Sequence, residues 1–300
     1  RDPQRIVQLI RQFGVTTLHF VPPLLQLFIS EPQVATCASL RRLFSGGEAL
    51  PAALRDRVLT QLPSVQLHNR YGPTETAINV THWHCQREDG ERSPIGRPLG
   101  NVQCRVLDSD LNLAPQGVAG ELCIGGQGLA RGYLGRPGLS AERFVADPLG
   151  EPGARVYRTG DLARWTAEGV LEYLGRLDQQ VKLRGFRVEP EEIQARLLAL
   201  DGVEQAVVLV RETAAGPQLV GYFTASANPS QSAQEQAQYL KQALAGELPE
   251  YMVPAQLMRL DAMPLGPSGK LDRRALPEPV WQVRQHVEPT SPLQQQIAAI

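Results

Sequence analysis

Helical and strand-forming patterns alternate from residue 3 to about 97, and that alternation commits the first third of the chain to layered α/β architecture. Ile6, Leu9, Ile10 and Phe13 share one helical face closed by Gly14, and Val15 to Phe20 is a short β-branched run. A second helical stretch, Leu24 to Ile29, precedes a strand around Arg42 to Ser45. A third, Pro51 to Leu62, precedes a strand at Val65 to His68. Strand, helix and strand at this spacing predict a parallel sheet with functional residues in the turns beyond the strand ends. Ser45-Gly46-Gly47-Glu48 and Asn69-Arg70-Tyr71-Gly72-Pro73-Thr74-Glu75 fall in two such turns.

From about 98 to 175 helical patterns mostly vanish. Short strands at Val102 to Leu107, Glu121 to Ile124 and Leu171 to Tyr173 alternate with Asp, Asn, Gly and Pro turns, which predicts an antiparallel β subdomain. Beyond Asp178 come a charged hairpin (Val181 to Val188), a helix from Pro190 to Leu200, a strand from Val203 to Val210, its partner at Leu219 to Thr224, and a helix about Ala233 to Ala245. That is a compact α+β unit able to fold alone. Residues 280–300 have linker composition followed by a helix start: Ser291 is a candidate N-cap, and Leu293, Ile297 and Ile300 share a face. An apolar face ending at the last residue suggests an excerpt from a longer polypeptide.

Thirty basic against 31 acidic residues leave no field for steering nucleic acid or an anionic membrane, and the longest apolar runs are strand-sized. Neither a nucleic-acid nor a membrane partner is expected. The four cysteines, Cys37, Cys85, Cys104 and Cys123, form no CxxC pair, which argues against zinc and a disulfide scaffold and suits a reducing, cytoplasmic setting.

Several local patterns offer chemistry, each beside a plainer reading. The 69–75 turn can stack a base on Tyr71, offer the Thr74 hydroxyl to phosphate and place Glu75 on magnesium; alone, it also reads as a surface turn. Tyr157-Arg158-Thr159-Gly160-Asp161 presents a carboxylate straight after a glycine turn, suited to ribose hydroxyls or to mere turn formation. The basic stretch from Lys182 to Arg187 reads more simply as a solvated strand face than as an RNA patch. Gly125 to Gly132 fails as a dinucleotide fingerprint because Arg131 holds the third glycine position, and Pro264 to Leu271 fails as a Walker A loop because Leu271 replaces Ser or Thr. Lys270 there is either a solvated lysine or a cation for an anionic transition state. His82 and His84, flanking Trp83 on one strand, point the same way as a possible metal pair.

Their order carries more than any one of them. Ser45-Gly-Gly-Glu, Asn69-Arg-Tyr-Gly-Pro-Thr-Glu, Gly120 to Leu134, Tyr157-Arg-Thr-Gly-Asp-Leu, Gly175 to Glu189, Leu248-Pro-Glu-Tyr-Met-Val-Pro254 and Ser268-Gly-Lys-Leu-Asp-Arg273 follow one another as in the adenylation domains of nonribosomal peptide synthetases. The chain resembles the carboxyl-terminal part of such a domain from residue 3 to about 279, and Glu288 to Ile300 resembles the opening of a peptidyl carrier domain. The resemblance implies the adenylating-enzyme fold, amino-terminally truncated: an α/β large-subdomain portion with a β-rich subdomain (1–177), a small α+β carboxyl-terminal subdomain (178–279), then linker and first carrier helix (280–300).

It also implies ATP-dependent activation of an amino acid as aminoacyl-AMP and transfer to a phosphopantetheine thiol on a carrier domain in cis, among other synthetase modules. By motif match, Tyr71 would stack on adenine beside Gly46 and Gly47, with Glu48 and Asn69 lining the same nucleotide site. Thr74 would meet phosphate and Glu75 would hold Mg²⁺. Asp161, assisted by Arg176, would bind the ribose. Asp178 would be a hinge bringing Lys270 in for adenylation and the Gly185 hairpin in for thioester formation. His19, Phe44, Gly46, Arg70, Ile78 and Asn79 would line the side-chain pocket, with Arg70 and His19 suited to a polar or acidic substrate. The family's pyrophosphate loop and amino-group aspartate would lie upstream of residue 1, so the piece alone is expected to be inactive. Two other readings stand beside this one: an acyl-CoA or aryl-acid ligase of the same superfamily, and a noncatalytic binding fragment.

Overall fold

The computed structural model describes residues 2–92, 94–213, 216–225, 232–266, 270–279 and 281. The linker and carrier-helix expectation, apart from Trp281, lies outside the described residues, as do Ser268 and Gly269 beside Lys270. The chain divides into two compact units, 1–190 and 191–300.

In the first unit, helix α1 (Pro3–Phe13) starts where the Asp2 carboxylate accepts the Gln4 N–H at 2.9 Å and ends where Gly14 turns left-handed at φ 61°. Its buried Val7 and Ile10 join α2 (Pro22–Ile29) and α3 (Ala52–Gln61) in covering Leu43 and Leu67 of the sheet below. Each such side chain withdrawn from water contributes about 1.5–3 kcal/mol. That layer is what holds three parallel strands, β1 (Thr17–Phe20), β2 (Arg42–Gly46) and β3 (Gln66–Tyr71), in register.

The predicted α/β and β-rich regions are one sheet. Antiparallel β4 (Thr81–His84) and β5 (Pro94–Pro98) follow β3, and β5 pairs with β10 (Leu171–Arg176), the entry to the antiparallel part. There β6 (Val102–Leu107), β7 (Gly120–Gly126), β8 (Phe144–Ala146) and β9 (Arg155–Trp165) complete ten strands in the order β1-β2-β3-β4-β5-β10-β9-β7-β6, with β8 on β9. One short helix, α4 (Pro137–Arg143), interrupts this part. A hairpin, β11 (Val181–Leu183) and β12 (Phe186–Val188), ends the unit.

Two elements differ from the sequence expectation in ways that matter for the site. β3 runs on through Asn69, Arg70 and Tyr71, because pairing continues on both sides, Gly46 opposite Arg70 and Thr81 opposite Tyr71. Those residues therefore stand on a strand end rather than in the turn. Asp161 likewise lies inside the 11-residue β9, where Gly160 at φ 72° sits beside a break in the β7 register. A bulge, not a turn, aims its carboxylate.

The second unit is built on β13 (Val203–Arg211), antiparallel to β14 (Gln218–Ala225), with β15 (Gln256–Arg259) parallel to β14. α5 (Pro190–Leu198) opens it, and α6 (Ala233–Glu247) begins with a reciprocal Ser232–Glu235 capping box. Val207, Val220, Tyr222 and Leu276 form its core. No helix among the described residues is long and apolar enough to cross a membrane.

Candidate active site

The site grows from the carboxyl ends of β2 and β3, where a parallel sheet leaves backbone amides and side chains facing a crevice. Close approach of these ends requires glycine. A Cβ on Gly46 would lie 2.8 Å from the Arg70 carbonyl oxygen, and one on Gly72 would lie 2.2 Å from that of Ile78. Gly47, Glu48, Asn69, Tyr71, Tyr173 and Lys182 surround a narrow cavity of about 20 Å³. Asn69 gives its side-chain amide to the Pro94 carbonyl at 2.8 Å, which fixes that residue against β5.

Two polar networks converge here. In the first, the Tyr71 hydroxyl donates to Asp161 Oδ2 at 2.5 Å, and Arg176 Nη1 donates to Asp161 Oδ1 at 2.7 Å. The same guanidinium grips Asp178 through Nε at 2.6 Å and Nη2 at 2.7 Å. Burial, and then the Asp161 charge, push the Tyr71 phenol well above its ordinary range, so it remains a donor. Asp161, with 3% of its side chain exposed, is a desolvated carboxylate held by a tyrosine and an arginine. Arg176 thus joins the predicted ribose aspartate to the predicted hinge aspartate.

In the second network, Glu75 Oε1 accepts the Tyr133 hydroxyl at 2.6 Å and Arg187 Nη1 at 2.7 Å, and Tyr133 also meets the Tyr157 hydroxyl at 3.2 Å. Burial works to raise the Glu75 pKa, but the Tyr133 hydrogen bond and the Arg187 charge outweigh it and hold the carboxyl below its usual value. Its Oε2 is buried with no hydrogen-bond partner among the described residues. A carboxylate ionised at neutral pH, with one unengaged oxygen, fits a hard divalent cation such as Mg²⁺. Thr74, one residue earlier, is exposed.

The hairpin meets the site as well. Gly185 N–H donates to the Glu48 carboxylate, and Lys182 Nζ lies 5.5 Å from the centre of the Tyr71 ring. Burial lowers the Lys182 pKa, and burial raises that of Glu48 against the pull of the Gly185 amide. The basic stretch is therefore not a solvated strand face: Lys182 lines the cavity and Arg187 is ion-paired, which corrects that reading.

A separate cavity of about 220 Å³ is lined by His19, Gly46, Arg70, Ile78 and Asn79, with Phe20, Val21, Gly47 and Gly72. Phe44 is not among its lining residues; instead the Arg70 guanidinium carbon stands 4.0 Å above its ring. Arg70 Nε is buried without a hydrogen-bond partner among the described residues. Partial burial and the Arg70 charge lower the His19 pKa, so at neutral pH the imidazole is uncharged. His82 and His84 do not form a metal pair. Both stack near His68, whose Nδ1 lies 2.9 Å from His82 Nε2, and no group of three or more His, Cys, Asp or Glu among the described residues could hold a metal.

Lys270 is exposed and sits where Leu271 pairs with Leu265, its carbonyl accepting the Gly266 N–H at 2.8 Å. Sequence reasoning missed Tyr133, Lys182 and Tyr173. Tyr133 had a signal, since it lies inside the Gly120 to Leu134 motif, but nothing local says that it reaches Glu75.

The fold and these networks suit the AMP-binding enzyme family, and sequence comparison agrees. Residues 1–134 match the AMP-binding enzyme profile and residues 192–270 match the profile of its carboxyl-terminal domain. The chain belongs to this family. Within it, the similarity is to nonribosomal peptide synthetases. Phosphinothricin tripeptide synthetase PhsB of Streptomyces viridochromogenes is 52% identical over 93% of this chain and 23% of its own length. Enterobactin synthase component F of Escherichia coli is 46% identical over 93% of the chain and 22% of its own length. Holo-PA1221, a solved nonribosomal synthetase protein with adenylation and carrier domains, superposes with a TM-score of 0.78 at 32% identity, covering 92% of this chain and 46% of that one. The chain thus spans under a quarter of these two relatives and under half of the solved protein.

Proposed function

We propose that the chain takes part in ATP-dependent activation of an amino acid and its transfer to a carrier-bound thiol. In the first step a carboxylate oxygen attacks the α-phosphorus of ATP and pyrophosphate leaves. In the second, a phosphopantetheine thiol attacks the acyl carbon and AMP leaves. The observation that carries this reading is the presence, on one sheet and in the turn that follows β3, of a tyrosine-held Asp161, an ionised Glu75 and a pocket walled by Arg70.

Asp161, oriented by Tyr71 and Arg176, binds the ribose hydroxyls; its two oxygens are pre-positioned, so little ordering remains to be done on binding. The Tyr71 ring faces the nucleotide base beside Gly46, Gly47, Glu48 and Asn69. Mg²⁺, when bound, would neutralise phosphate charge, with Glu75 its ligand and Thr74 beside it. Lys270, assigned by motif alone, stabilises charge gathering between the carboxylate and the α-phosphate. Asp178 serves as the hinge and Gly185 as part of the face that meets the thiol. A carrier domain in cis and further modules are the implied partners, in the cytoplasm.

For the substrate, the 220 Å³ pocket suits one side chain. Burying an unpaired guanidinium is unfavourable by several kcal/mol, so Arg70 favours an occupant that supplies an acceptor or a negative charge. The substrate class we propose is a polar or acidic amino acid. Amino-acid-dependent ATP–pyrophosphate exchange, run on the full-length protein with each amino acid, tests this; a profile led by Leu, Val or Phe would remove Arg70 from the pocket.

A further inference from the structure

The bulge that aims Asp161 is held by a second carboxylate, Glu121, which the adenylation reading leaves unused. Between the pairs Leu162–Glu121 and Arg158–Cys123, β9 has Thr159, Gly160 and Asp161 where β7 has only Leu122. The ladder cannot serve all three on that side, and a buried amide without an acceptor is unfavourable. Side chains take over. Glu121 Oε1 accepts the buried Gly160 N–H at 3.0 Å, and Thr159 Oγ1 accepts the Asp161 N–H at 2.9 Å while donating to the Leu122 carbonyl at 2.6 Å.

The Glu121 side chain is 7% exposed, and its charge is balanced by Arg158, whose Nε and Nη2 donate to Oε2 at 2.9 and 2.7 Å. Arg158, 35% exposed, has water within reach and does not need a buried partner. A well-packed apolar residue at 121 would hold the sheet as well as a buried ion pair does. What it could not do is divide two oxygens between a guanidinium and the amide of Gly160, whose φ of 72° sets the direction of the next side chain. On the β10 side Arg176 Nη2 donates to the Thr159 carbonyl at 3.0 Å, and the Gly160 carbonyl accepts the Leu177 N–H at 2.8 Å. The Asp161 oxygens already take Tyr71 and Arg176, so the lone pairs left over are directed by a backbone clamped between β7 and β10.

We propose that Glu121 is a positioning residue for the nucleotide: by pinning the Gly160 amide it fixes the angle at which Asp161 meets the two ribose hydroxyls, and so sets the discrimination between ribose and deoxyribose nucleotides. The inference rests on the assignment of Asp161 to the ribose and adds the residue that makes that grip selective. Glu121 touches no substrate atom; it acts through one peptide. Without it the bulge relaxes, and a carboxylate turned from its place loses the geometry for both hydroxyls at once.

Isothermal titration of the full-length protein with AMP, 2′-deoxy-AMP and 3′-deoxy-AMP is the test. The native protein binds AMP about tenfold or more tighter than either deoxy nucleotide, because each missing hydroxyl leaves a charged acceptor unfilled. In Glu121→Ala the AMP affinity falls to that of the deoxy nucleotides, whose own affinities change by less than about threefold. Glu121→Gln, which keeps an acceptor for the Gly160 N–H without the charge, restores most of the discrimination. Thr159→Val removes the other side-chain acceptor of the bulge and narrows the ratios in the same direction. A merely structural role gives a different pattern, with all three nucleotides weakened equally and their ratios unchanged. Ratios unchanged in Glu121→Ala, or in Thr159→Val should Glu121→Ala fail to fold, overturn the proposal and leave the ribose assignment of Asp161 standing. Equal binding of the three nucleotides by the native protein overturns both. Discrimination lost in Glu121→Ala, from a native protein without amino-acid-dependent pyrophosphate exchange, supports the proposal and refutes the amino acid reading alone.

Discussion

The two units handle charge in opposite ways. In the first, carboxylates and guanidiniums are drawn into the sheet: Asp161, Glu75, Glu121 and Glu172 are buried, and each has an arginine partner. In the second, the described core is aliphatic and aromatic, and its candidate catalytic group, Lys270, is exposed. The groups proposed to hold ligand carry their counter-charges with them, Asp161 within β9 and Glu75 in the turn that follows β3. The group proposed to act in one step only, Lys270, is exposed. The contrast predicts that substitutions in the first unit damage stability and binding together, whereas those at Lys270 damage rate alone.

The largest expected effect is on stability. Arg176→Leu leaves Asp161 desolvated without its cation, and breaking such a pair typically destabilises by about 3–5 kcal/mol. Chemical denaturation of the chain should show a lower midpoint; an unchanged midpoint would mean that Asp161 is solvated after all. Next in size, Lys270→Ala in the full-length protein should slow adenylation by about 10²-fold. It should leave unfolding and transfer from preformed aminoacyl-AMP far less affected. Gly185→Trp should do the reverse. Gly185 has φ 83°, and even a Cβ there would come within 2.8 Å of Val21, so the docked hairpin has no room for an indole. Equal losses in both half-reactions for both variants would make the small subdomain a static lid.

A smaller effect concerns Tyr71→Phe. It deletes one hydrogen bond to Asp161 and leaves the arginine, so unfolding stability and nucleotide affinity should both fall, each by about 1–2 kcal/mol. Isothermal titration with AMP reads the affinity directly. The smallest effect is a pH dependence. Burial, with His82, His84, Arg70 and Arg42 nearby, lowers the His68 pKa from 6.5 to about 4. Since the unfolded chain binds the proton first, stability contributed by neutral His68 is full above pH 6.5 and is lost as pH falls toward 4. His68→Phe, which keeps stacking on Phe44, should flatten that acid limb in thermal melts. An unchanged slope would place the acid sensitivity elsewhere.

Much of the architecture was legible in local pattern. α1, α2, α3, α6 and most strands follow from apolar periodicity, caps and turn residues, and the structure brings Gly47, Glu48, Asn69 and Tyr71 around one small cavity. What local pattern does not carry is pairing between distant segments. That β5 joins β10 and makes one sheet of two expected parts depends on contacts between residues 94–96 and 171–172. Tyr133 finds Glu75 from 58 residues away and Arg187 from 112, and neither separation has a period to read. The hairpin charges looked like solvent-facing residues because their partners lie on other strands. Phe44 was expected in the pocket wall, whereas Arg70 covers it, a detail of side-chain stacking that strand alternation cannot resolve.

The proposed activation of an amino acid needs the Arg70 pocket and the Asp161 and Glu75 carboxylates together. Amino-acid-dependent ATP–pyrophosphate exchange on the full-length protein tests it most directly. The expected result is exchange above background, led by a polar or acidic amino acid and strongly reduced by Glu75→Gln. Absence of exchange with every amino acid, together with thioester formation from an aryl or fatty acid and free coenzyme A, would contradict it.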